Sequence, residues 1–416
     1  MSCKYEFDET SSMDYDVVVI GGGPAGCIAA KYAAKHVSTL VVEEHTRIGE
    51  PAQCAGLISV RAAAESELRS KFRKCVCNEV SGAVFHPPTF RPLTVEGREK
   101  KAFVIRRDVF DRLLAEEAAR SGADFLMQSK VVGIKRGSKS PNELKIICEG
   151  KELKITAKVV VGADGASGIT QRALGLRIRR LLSCVQVCGV YECDTNFVEL
   201  FFGRSIAPGF FAWAIPVGEG VARLGLCVDV TVGGEPLRRL DLFLKRLRKE
   251  GKFKGSSFDF LTGIIPLGPP KLTAAASIML LGDAAAQVKP VTGGGVYYGM
   301  KCGKLAGMLA AEAAGVKAAA REKVVSRYDG MWRREIGREI GFGMLLHRLR
   351  CKMGDKDLDR IFRVLDDERL LKMVEEKGDM DYQSSALLPM LWRLLMHPKT
   401  AVPLFLSLAR SQLKSS

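Results

Sequence analysis

The stretch DYDVVVIGGGPAGCIAAKYAAK, residues 14–35, decides the fold of this chain. It opens with a short β-branched run of the kind that forms a buried parallel strand. Gly21, Gly23 and Gly26 follow in G-x-G-x-x-G spacing, and the residues after them are typical of a helix. The first glycine permits a tight turn, the second lets a pyrophosphate approach the backbone, and the third lets the helix pack closely on the strand. The stretch therefore predicts a dinucleotide site at a helix N-terminus.

A second predicted strand, TLVVEE at residues 39–44, ends in two acidic residues, Glu43 and Glu44. Glu43 lies about twenty residues beyond Gly21, where an acidic side chain binds a ribose 2′-OH and disfavours a 2′-phosphate. This segment predicts NAD or FAD and does not distinguish between them.

Two later stretches favour FAD. In AKVVVGADGASGITQRALGL (157–176) an apolar strand leads into Asp164 and Gly165. In ASIMLLGDAAAQVKPVTGGGVYYGMKCGKLAG (276–307) another apolar strand leads into Asp283, and the triplet Gly293–Gly295 precedes an apolar helix. NAD needs a single glycine turn. FAD needs in addition a carboxylate for its ribityl hydroxyls and a glycine-rich helix start facing the pyrophosphate and the flavin edge.

Together with RRDVFDRLLAEEAARSGA (106–123), these motifs occur in an order that resembles the flavoprotein superfamily of aromatic hydroxylases. The RxxFD motif of that family is Arg107 to Asp111 here. The resemblance implies that the arginine lies near FAD, that Asp164 and Gly165 contact the cofactor, and that Asp283 binds the ribityl chain. The predicted FAD-binding residues are Gly21, Gly23, Ala25, Gly26, Glu43, Glu44, Cys54, Ala55, Gly56, Arg107, Asp164, Gly165, Asp283, Gly293, Gly294 and Gly295.

Two more stretches resemble the geranylgeranyl reductase branch of that superfamily. GEPAQCAGLIS (49–59) is similar to a segment that carries a cysteine beside the flavin, here Cys54. FFAWAIPVGEGVARLGLC (210–227) is similar to the YxWxFP motif followed by GxG. This chain departs from the pattern where Phe211 replaces tyrosine, Ile215 replaces phenylalanine and Cys227 replaces the second glycine. Without the tyrosyl hydroxyl, a polar role at position 211 is disfavoured, but the phenyl ring still provides an apolar wall for an isoprenoid.

The resemblance implies reduction of isolated C=C bonds in geranylgeranyl chains, above all in archaeal-type ether phospholipids. An isolated alkene has no carbonyl to polarise it, so hydride from flavin N5 must be accompanied by a proton at the adjacent carbon. A cysteine in an apolar site stays protonated at neutral pH. Cys54 is the predicted acid or the anchor of a relay water, and the plainer alternative is a small residue packed against the ring.

The substrate side is predicted from aromatic and basic residues. The expected wall of the isoprenoid path is Phe210, Phe211, Trp213 and Pro216. Residues 236–254 predict a helix with Leu237, Leu240, Phe243, Leu244 and Leu247 on one face. From Arg238 to Lys254 this segment carries eight basic and two acidic residues. It faces either solvent or an anionic surface, and the sequence favours neither.

The net charge of +16 fits an anionic membrane, a phosphorylated substrate or nucleic acid, but no nucleic-acid module is recognisable. The acidic N-terminus argues against a secretory signal, and twelve irregularly spaced cysteines suit a reducing cytosol. Cys75, Cys77, Cys184, Cys188 and Cys193 form no zinc pattern, so we predict small buried side chains and no metal. The stretch ALLPMLWRLLMHPKTAVPLFLSLAR (386–410) either lies in a bilayer interface or packs on the protein itself.

The predicted fold is α/β: a Rossmann-like FAD domain, an inserted mixed β-sheet substrate domain and a helical C-terminal region. The expected boundaries are 14–80, 101–180 and 272–320 for the FAD domain, 81–100 and 181–271 for the substrate domain, and 321–416 for the helical region. The expected location is the cytoplasm, peripherally on the inner face of the cell membrane. The external electron donor is a ferredoxin, a deazaflavin or NAD(P)H, and the sequence does not choose among them.

Two other functions are compatible with this fold. A monooxygenase or halogenase is disfavoured by the Cys54 segment and the FxWxIP motif. A non-catalytic prenyl-binding escort is disfavoured by the complete set of FAD signals, because a carrier has no need of a flavin.

Overall fold

The computed structural model describes residues 13–97, 99–137, 140–385 and 387–389. The strands in this part of the chain, numbered in chain order, are β1 (Met13–Ile20), β2 (Thr39–Val42), β3 (Leu57–Ser59), β4 (Val76–Val80), β5 (Gly82–His86), β6 (Leu93–Glu96), β7 (Ala102–Ile105), β8 (Asp124–Leu126), β9 (Ser129–Lys135), β10 (Asn142–Cys148), β11 (Lys151–Gly162), β12 (Arg180–Tyr191), β13 (Phe197–Phe201), β14 (Ala212–Gly218), β15 (Val221–Asp229), β16 (Phe253–Leu267), β17 (Ala274–Ala275) and β18 (Ile278–Leu280).

The helices are α1 (Pro24–Ala33), α2 (Val60–Glu65), α3 (Arg107–Arg120), α4 (Ile169–Ala173), α5 (Pro236–Lys249), α6 (Val296–Gly315), α7 (Ala318–Trp332), α8 (Arg338–Lys352), α9 (Asp355–Leu365) and α10 (Glu368–Lys377). Two 3₁₀ segments, Arg69–Cys75 and Gly282–Ala285, and a π-helical turn, Arg333–Gly337, complete the described elements.

The first sheet carries the predicted dinucleotide turns. Its parallel core has the order β18-β11-β1-β2-β8, and β9, β10 and β17 extend it in antiparallel pairings. The core strands are buried, β-branched runs such as Val17–Ile20, as expected for strands covered on both faces. Because parallel strands end at the same edge, the turns after β1, β2, β11 and β18 all meet there.

Helices α1 and α6 pack closely against each other on this sheet. A Cβ at Gly303 would lie 2.4 Å from the carbonyl oxygen of Ala25, and one at Gly307 would lie 2.3 Å from that of Ala29. Only glycine allows the two backbones to approach this closely. This contact places the start of α6 beside the start of α1 and so joins two predicted parts of the cofactor site.

The second sheet has the order β16-β12-β15-β14-β13-β5-β6 and is antiparallel except for the β13–β5 pair. Side chains alternate along each strand, so one face packs on α5 and the other faces the first sheet. On α5, Leu240, Phe243, Leu244 and Leu247 are buried against this sheet. Leu237, which the sequence placed on the same face, is 60% exposed, because it lies in the first turn of the helix beyond the edge of the packed surface.

A small sheet of order β3-β7-β4, which the sequence did not predict, lies at the junction of the two larger sheets. Helices α7 to α10 form the C-terminal region as far as the structure describes it. In that described part no helix combines the length and the apolar character needed to cross a bilayer. The apolar stretch 386–410 lies almost entirely outside the described residues, so its predicted interface role is not addressed by them.

Candidate active site

The glycine turns meet at the carboxyl edge of the first sheet. A Cβ at Gly21 would lie 2.4 Å from the carbonyl oxygen of Ala163, and one at Gly26 would lie 2.0 Å from that of Gly21. Glycine is therefore required at both positions. At Gly23, by contrast, a Cβ would meet nothing within 4 Å, so this part of the turn is open to the adjoining cavity. These are the separate roles that the G-x-G-x-x-G spacing predicts.

That cavity has a volume of about 1300 Å³. Pockets for one small molecule typically measure about 300–1,000 Å³, so there is room for a cofactor and part of a second ligand. Every FAD-binding residue predicted from the sequence lines it, from Gly21 to Gly295, and so do Phe210, Phe211 and Trp213. The cavity runs from the glycine turns to the inner face of the second sheet.

Glu43 holds the first glycine turn. Its Oε2 accepts a hydrogen bond of 2.7 Å from the backbone N–H of Gly22, and its Oε1 lies 2.6 Å from Nδ1 of His45. Glu44 is more exposed and forms an ion pair with Lys130 at 2.7 Å. His45 and Lys130 also line the cavity, although no sequence motif singled them out.

The two predicted aspartates have different surroundings. Asp164 accepts hydrogen bonds from the backbone N–H and the hydroxyl of Thr170, so its carboxylate caps the start of α4. Burial raises the pKa of Asp164. For Asp283 the described residues supply no hydrogen-bond donor to the carboxylate, and desolvation raises its pKa to about 6. A carboxylate that faces the cavity with free acceptor oxygens fits the ribityl hydroxyls of FAD.

The segment around Cys54 crosses the middle of the cavity and is fixed by an arginine from the second sheet. Arg223 on β15 donates from Nη1 to the carbonyl oxygens of Ala55 at 2.8 Å and Ile105 at 3.0 Å. Gly56 adopts φ +74°, and a Cβ there would lie 2.0 Å from Nη1 of Arg223. The backbone N–H of Gly56 donates to Sγ of Cys54 at 3.3 Å. Arg223 was not predicted, because no local pattern relates it to residues 54–56.

Cys54 is half-buried, and Arg107 contacts it from the start of α3. Arg107 forms a two-pronged ion pair with Asp111, at 2.8 Å for both contacts. Burial alone would lower the pKa of Arg107, but the Asp111 carboxylate and Cys54 outweigh it and raise the pKa. The sequence predicted apolar surroundings for Cys54. The structure places a guanidinium there instead, since the RxxFD helix begins beneath the 51–56 segment.

The predicted aromatic wall lies on β14 and the turn before it. Phe210 and Phe211 stack with ring centroids 4.4 Å apart, and Phe211 meets Trp213 edge-on at 6.3 Å. The indole N–H of Trp213 donates to Oε1 of Gln186 at 3.0 Å, which fixes the ring. Pro216 lies outside the cavity lining, and its carbonyl oxygen accepts a hydrogen bond from Asn78. Its place is in the packing of β14 against β4 rather than in the wall.

A buried polar cluster supports this wall from behind. Nε2 of His347 lies 2.7 Å from Oδ2 of Asp229, and Nη2 of Arg350 lies 2.9 Å from Nδ1 of His347. Because a guanidinium only donates, Nδ1 accepts and Nε2 carries the proton. Burial would raise the pKa of Asp229, but hydrogen bonds from His347 and Thr231 lower it. Cys351 completes the cluster, and the positive charge facing the carboxylate comes from Arg180 and Arg350.

Arg350 connects this cluster to the segment that leads into the Gly293–Gly295 triplet. It donates to the carbonyl oxygens of Gly209 at 3.1 Å and Val291 at 3.0 Å, and its guanidinium lies 4.3 Å from the ring centroid of Phe210. Burial lowers its pKa to about 10. One side chain of α8 therefore fixes the aromatic wall relative to the glycine triplet.

The chain after α10 closes another side of the cavity. Lys289, which precedes the glycine triplet, donates to Oδ1 of Asp381 at 2.8 Å, and both side chains are buried. Ser59 donates to Oδ2 of the same carboxylate at 2.5 Å. Residues 378–380 and Gln383 line the cavity as a result. The sequence gave no indication of this closure, since its residues are more than eighty positions apart.

The prediction of small buried cysteine side chains is wrong for Cys77, which is exposed, and for Cys184. Cys184 forms a disulfide with Cys227 and is not a separate apolar side chain. The two lie directly opposite each other in the β12–β15 register, which no sequence spacing reveals. The free thiols of the described part of the chain include Cys27, Cys54, Cys75, Cys77, Cys188, Cys193, Cys302 and Cys351.

Comparisons with known proteins agree with this geometry. Residues 14–197 match the model of an FAD binding domain, and residues 181–263 match the geranylgeranyl reductase catalytic domain. An uncharacterized protein of Methanocaldococcus jannaschii is 36% identical over 89% of this chain and 93% of its own length. A digeranylgeranylglycerophospholipid reductase of Methanothrix thermoacetophila is 32% identical over 87% of this chain and 94% of its own length. A geranylgeranyl bacteriochlorophyll reductase-like structure from Thermoplasma acidophilum superposes with a TM-score of 0.82 at 26% identity, covering 95% of this chain and all of that one.

The fold and the site thus define an FAD-dependent oxidoreductase, as the glycine turns and Asp283 predicted. Within that class the chain belongs to the geranylgeranyl reductase family. The predicted α/β fold, FAD as cofactor and enzymatic activity are confirmed.

Proposed function

We propose that this enzyme saturates isolated C=C bonds in geranylgeranyl chains, and that its substrates are archaeal-type ether phospholipids carrying two such chains. The observation that carries the proposal is the shared cavity: the FAD-binding turns, Cys54 and the aromatic wall of Phe210, Phe211 and Trp213 all line it. The names of several relatives, such as the reductase of Methanothrix thermoacetophila, support the same substrate class.

Bound FAD supplies, when reduced, the hydride equivalent that an alkene accepts. The residues of the chain supply the rest. Cys54 delivers the proton to the neighbouring carbon, and the adjacent Arg107 stabilises the thiolate that remains. The positive charge of Arg107 is maintained, since its pKa lies above the ordinary value. Arg223 and the close packing at Gly56 fix the position of the 54–56 segment in the cavity lining.

The aromatic wall excludes water and aligns the chain. Phe210, Phe211 and Trp213 each expose 8% or less of their surface, so they present a dry and rigid surface to an isoprenoid. A cation-like carbon formed by protonation gains from the faces of such rings. Phe211 replaces the tyrosine of the family motif. The contact with a cation-like carbon is retained, because it requires only the face of an aromatic ring.

We place the enzyme at the inner face of the cell membrane. The exposed cations Lys245, Arg248 and Lys249 of α5 and the net charge of +16 favour anionic head groups. Cosedimentation with anionic vesicles, lost on zwitterionic vesicles or at high salt, tests this placement. Electrons come from an external donor, a ferredoxin, a deazaflavin or NAD(P)H.

The decisive experiment is single-turnover reduction. The purified protein is reduced with dithionite, mixed anaerobically with a digeranylgeranyl phospholipid, and the lipid is weighed by mass spectrometry. A gain of two hydrogens per double bond, with matching reoxidation of the flavin spectrum, is the expected result.

The same preparation separates the other functions. An oxygenated or halogenated product formed with NAD(P)H and O₂ would assign a monooxygenase or halogenase. A colourless protein that binds the lipid and leaves it unchanged would assign a prenyl-binding escort.

A further inference from the structure

The disulfide between Cys184 and Cys227 lies on the cavity face of the second sheet. In β12 and β15 the neighbouring residues Val185 and Leu226 point to the opposite face, where they pack in the core beneath α5. Because side chains alternate, Cys184 and Cys227 point toward the first sheet. Both cysteines accordingly line the same cavity as the FAD-binding turns.

The disulfide is close to two parts of that cavity, the segment that carries Cys54 and the aromatic wall. Gly263 of β16 lies directly opposite Cys184, and a Cβ on Gly263 would lie 3.9 Å from Cβ of Gln53, the residue before Cys54. On the other side, the backbone N–H of Cys227 donates to the carbonyl oxygen of Phe211 at 3.3 Å. The disulfide therefore lies between the Cys54 segment and the aromatic wall.

The other cysteines of this sheet serve as a comparison. Cys188 and Cys193 lie on or just beyond β12, and both are free thiols whose pKa burial raises. The crosslinked pair in the cavity wall therefore differs from these two neighbouring cysteines, which are reduced. Cys227 also stands where the family motif has a glycine, so this chain carries a reactive atom at a position where the motif has none.

We propose that Cys184 and Cys227 are a redox-active couple that accepts electrons from the reduced flavin bound in this cavity. The proposal requires bound FAD and is independent of which alkene the enzyme reduces. The S–S bond accepts a hydride equivalent, two electrons and one proton, from the reduced flavin anion, and a second proton comes from solvent. The bond breaks, both sulfurs become thiols, and the flavin returns to its oxidised form.

Two properties follow from this chemistry. The holoenzyme takes up four electrons per FAD, two on the flavin and two on the disulfide. Reduction also unlinks β12 from β15 between the Cys54 segment and the aromatic wall. Cys184, which is only partly buried, then becomes a thiol that a small alkylating reagent reaches from the cavity.

Anaerobic dithionite titration of the holoenzyme tests the proposal, with N-ethylmaleimide trapping and peptide mass analysis at each point. We expect wild type to consume four electrons per FAD, with the partly buried Cys184 alkylated only after reduction. The double variant Cys184→Ala/Cys227→Ala should consume two. The single variant Cys227→Gly, which restores the residue of the family motif, should also consume two and leave Cys184 alkylated from the outset.

Cys77 is the internal control, because it is exposed and free and should be alkylated at every point. If wild type consumes two electrons per FAD and the pair still resists alkylation, the proposal is overturned. The disulfide is then a structural crosslink only. Alkylation of the pair before any reductant is added overturns the proposal as well. If the double variant loses FAD, the electron uptake of the single variant Cys227→Gly is used to test the proposal instead. Alkene reduction is measured separately, so failure of this proposal is distinguishable from failure of the proposed function.

Discussion

Nη1 of Arg223 lies 2.8 Å from the carbonyl oxygen of Ala55, so an arginine on the second sheet holds the segment that carries Cys54. The same atom bonds Ile105, at the end of the strand before the RxxFD helix. One guanidinium thus connects the inserted sheet with both the cysteine segment and the Arg107 helix. We regard Arg223 as a positioning residue for Cys54, the proposed proton donor.

Replacing Arg223 by methionine should reduce alkene turnover by about 10–100-fold, because a displacement of about 1 Å at a reacting group costs on that order. The flavin spectrum should remain, since Arg223 belongs to no FAD-binding turn. The expected loss is in kcat with little change in KM, and Arg223→Lys should recover part of it. Arg120→Met, an exposed change on α3, is the matched control. Equal turnover in Arg223→Met and Arg120→Met would show that the 54–56 segment keeps its position without Arg223.

Gly56→Ala should destabilise the fold more than a change at a glycine with the same backbone conformation. Gly56 (φ +74°) and Gly220 (φ +69°) share the left-handed region, but a Cβ at Gly220 meets nothing within 4 Å. Gly220→Ala should therefore cost about 1 kcal/mol of unfolding free energy, from the backbone alone. Gly56→Ala adds a collision with Arg223 and Ile105, worth about 1–3 kcal/mol more. Chemical denaturation of both variants measures the difference, and equal losses would refute the close packing around Gly56.

Cys54→Ala should keep the yellow colour of bound FAD and lose most alkene reduction, because it removes the proposed proton donor and leaves the FAD-binding turns unchanged. A loss of about 10²–10⁴-fold is expected for a general acid. Cys77→Ala, at an exposed cysteine on β4, is the matched control. Single-turnover flavin reoxidation by the lipid is the measurement. If Cys54→Ala reoxidises its flavin at the wild-type rate, Cys54 contributes only packing.

Asp283 should make the FAD-free protein less stable as the pH rises. Its pKa in the folded state is about 6, above the ordinary 3.8, so the stabilisation by the protonated carboxyl is complete below pH 3.8 and is lost as the pH rises through 6. A shift of this size amounts to at most about 3 kcal/mol. Asp283→Asn lacks this dependence, so its advantage in thermal stability over wild type should grow between about pH 4 and pH 6 and then level off.

Added FAD provides the control for this titration. Ribityl hydroxyls that donate to the ionised carboxylate should remove the advantage of the Asn variant at neutral pH and weaken FAD binding in that variant. A stability difference that does not change with pH would show that Asp283 is ionised throughout.

The residues predicted to bind FAD all line one cavity, because each belongs to a short segment in a fixed local conformation. Gly21, Asp164 and the Gly293–Gly295 triplet each follow their own strand, and parallel strands bring those ends to one edge. Arg223, Arg350 and the Lys289–Asp381 pair were not predicted, because each connects elements far apart in the chain through a single side chain. Pro216, in contrast, was predicted to line the cavity and does not. A sequence motif does not show which face of a strand lines a cavity.

The sequence by itself determined the FAD cofactor and the sheet edge that carries its glycine turns, because glycine spacing and strand–turn order are local properties. It also predicted a role for Cys54. Only the tertiary structure decided what surrounds that cysteine. The register of β12 on β15 pairs Cys184 with Cys227. The stacking of the second sheet on the first brings Arg223 to the 54–56 segment, and the start of α3 brings Arg107 to Cys54. Register and stacking depend on the packing of whole faces, which no short stretch of residues specifies.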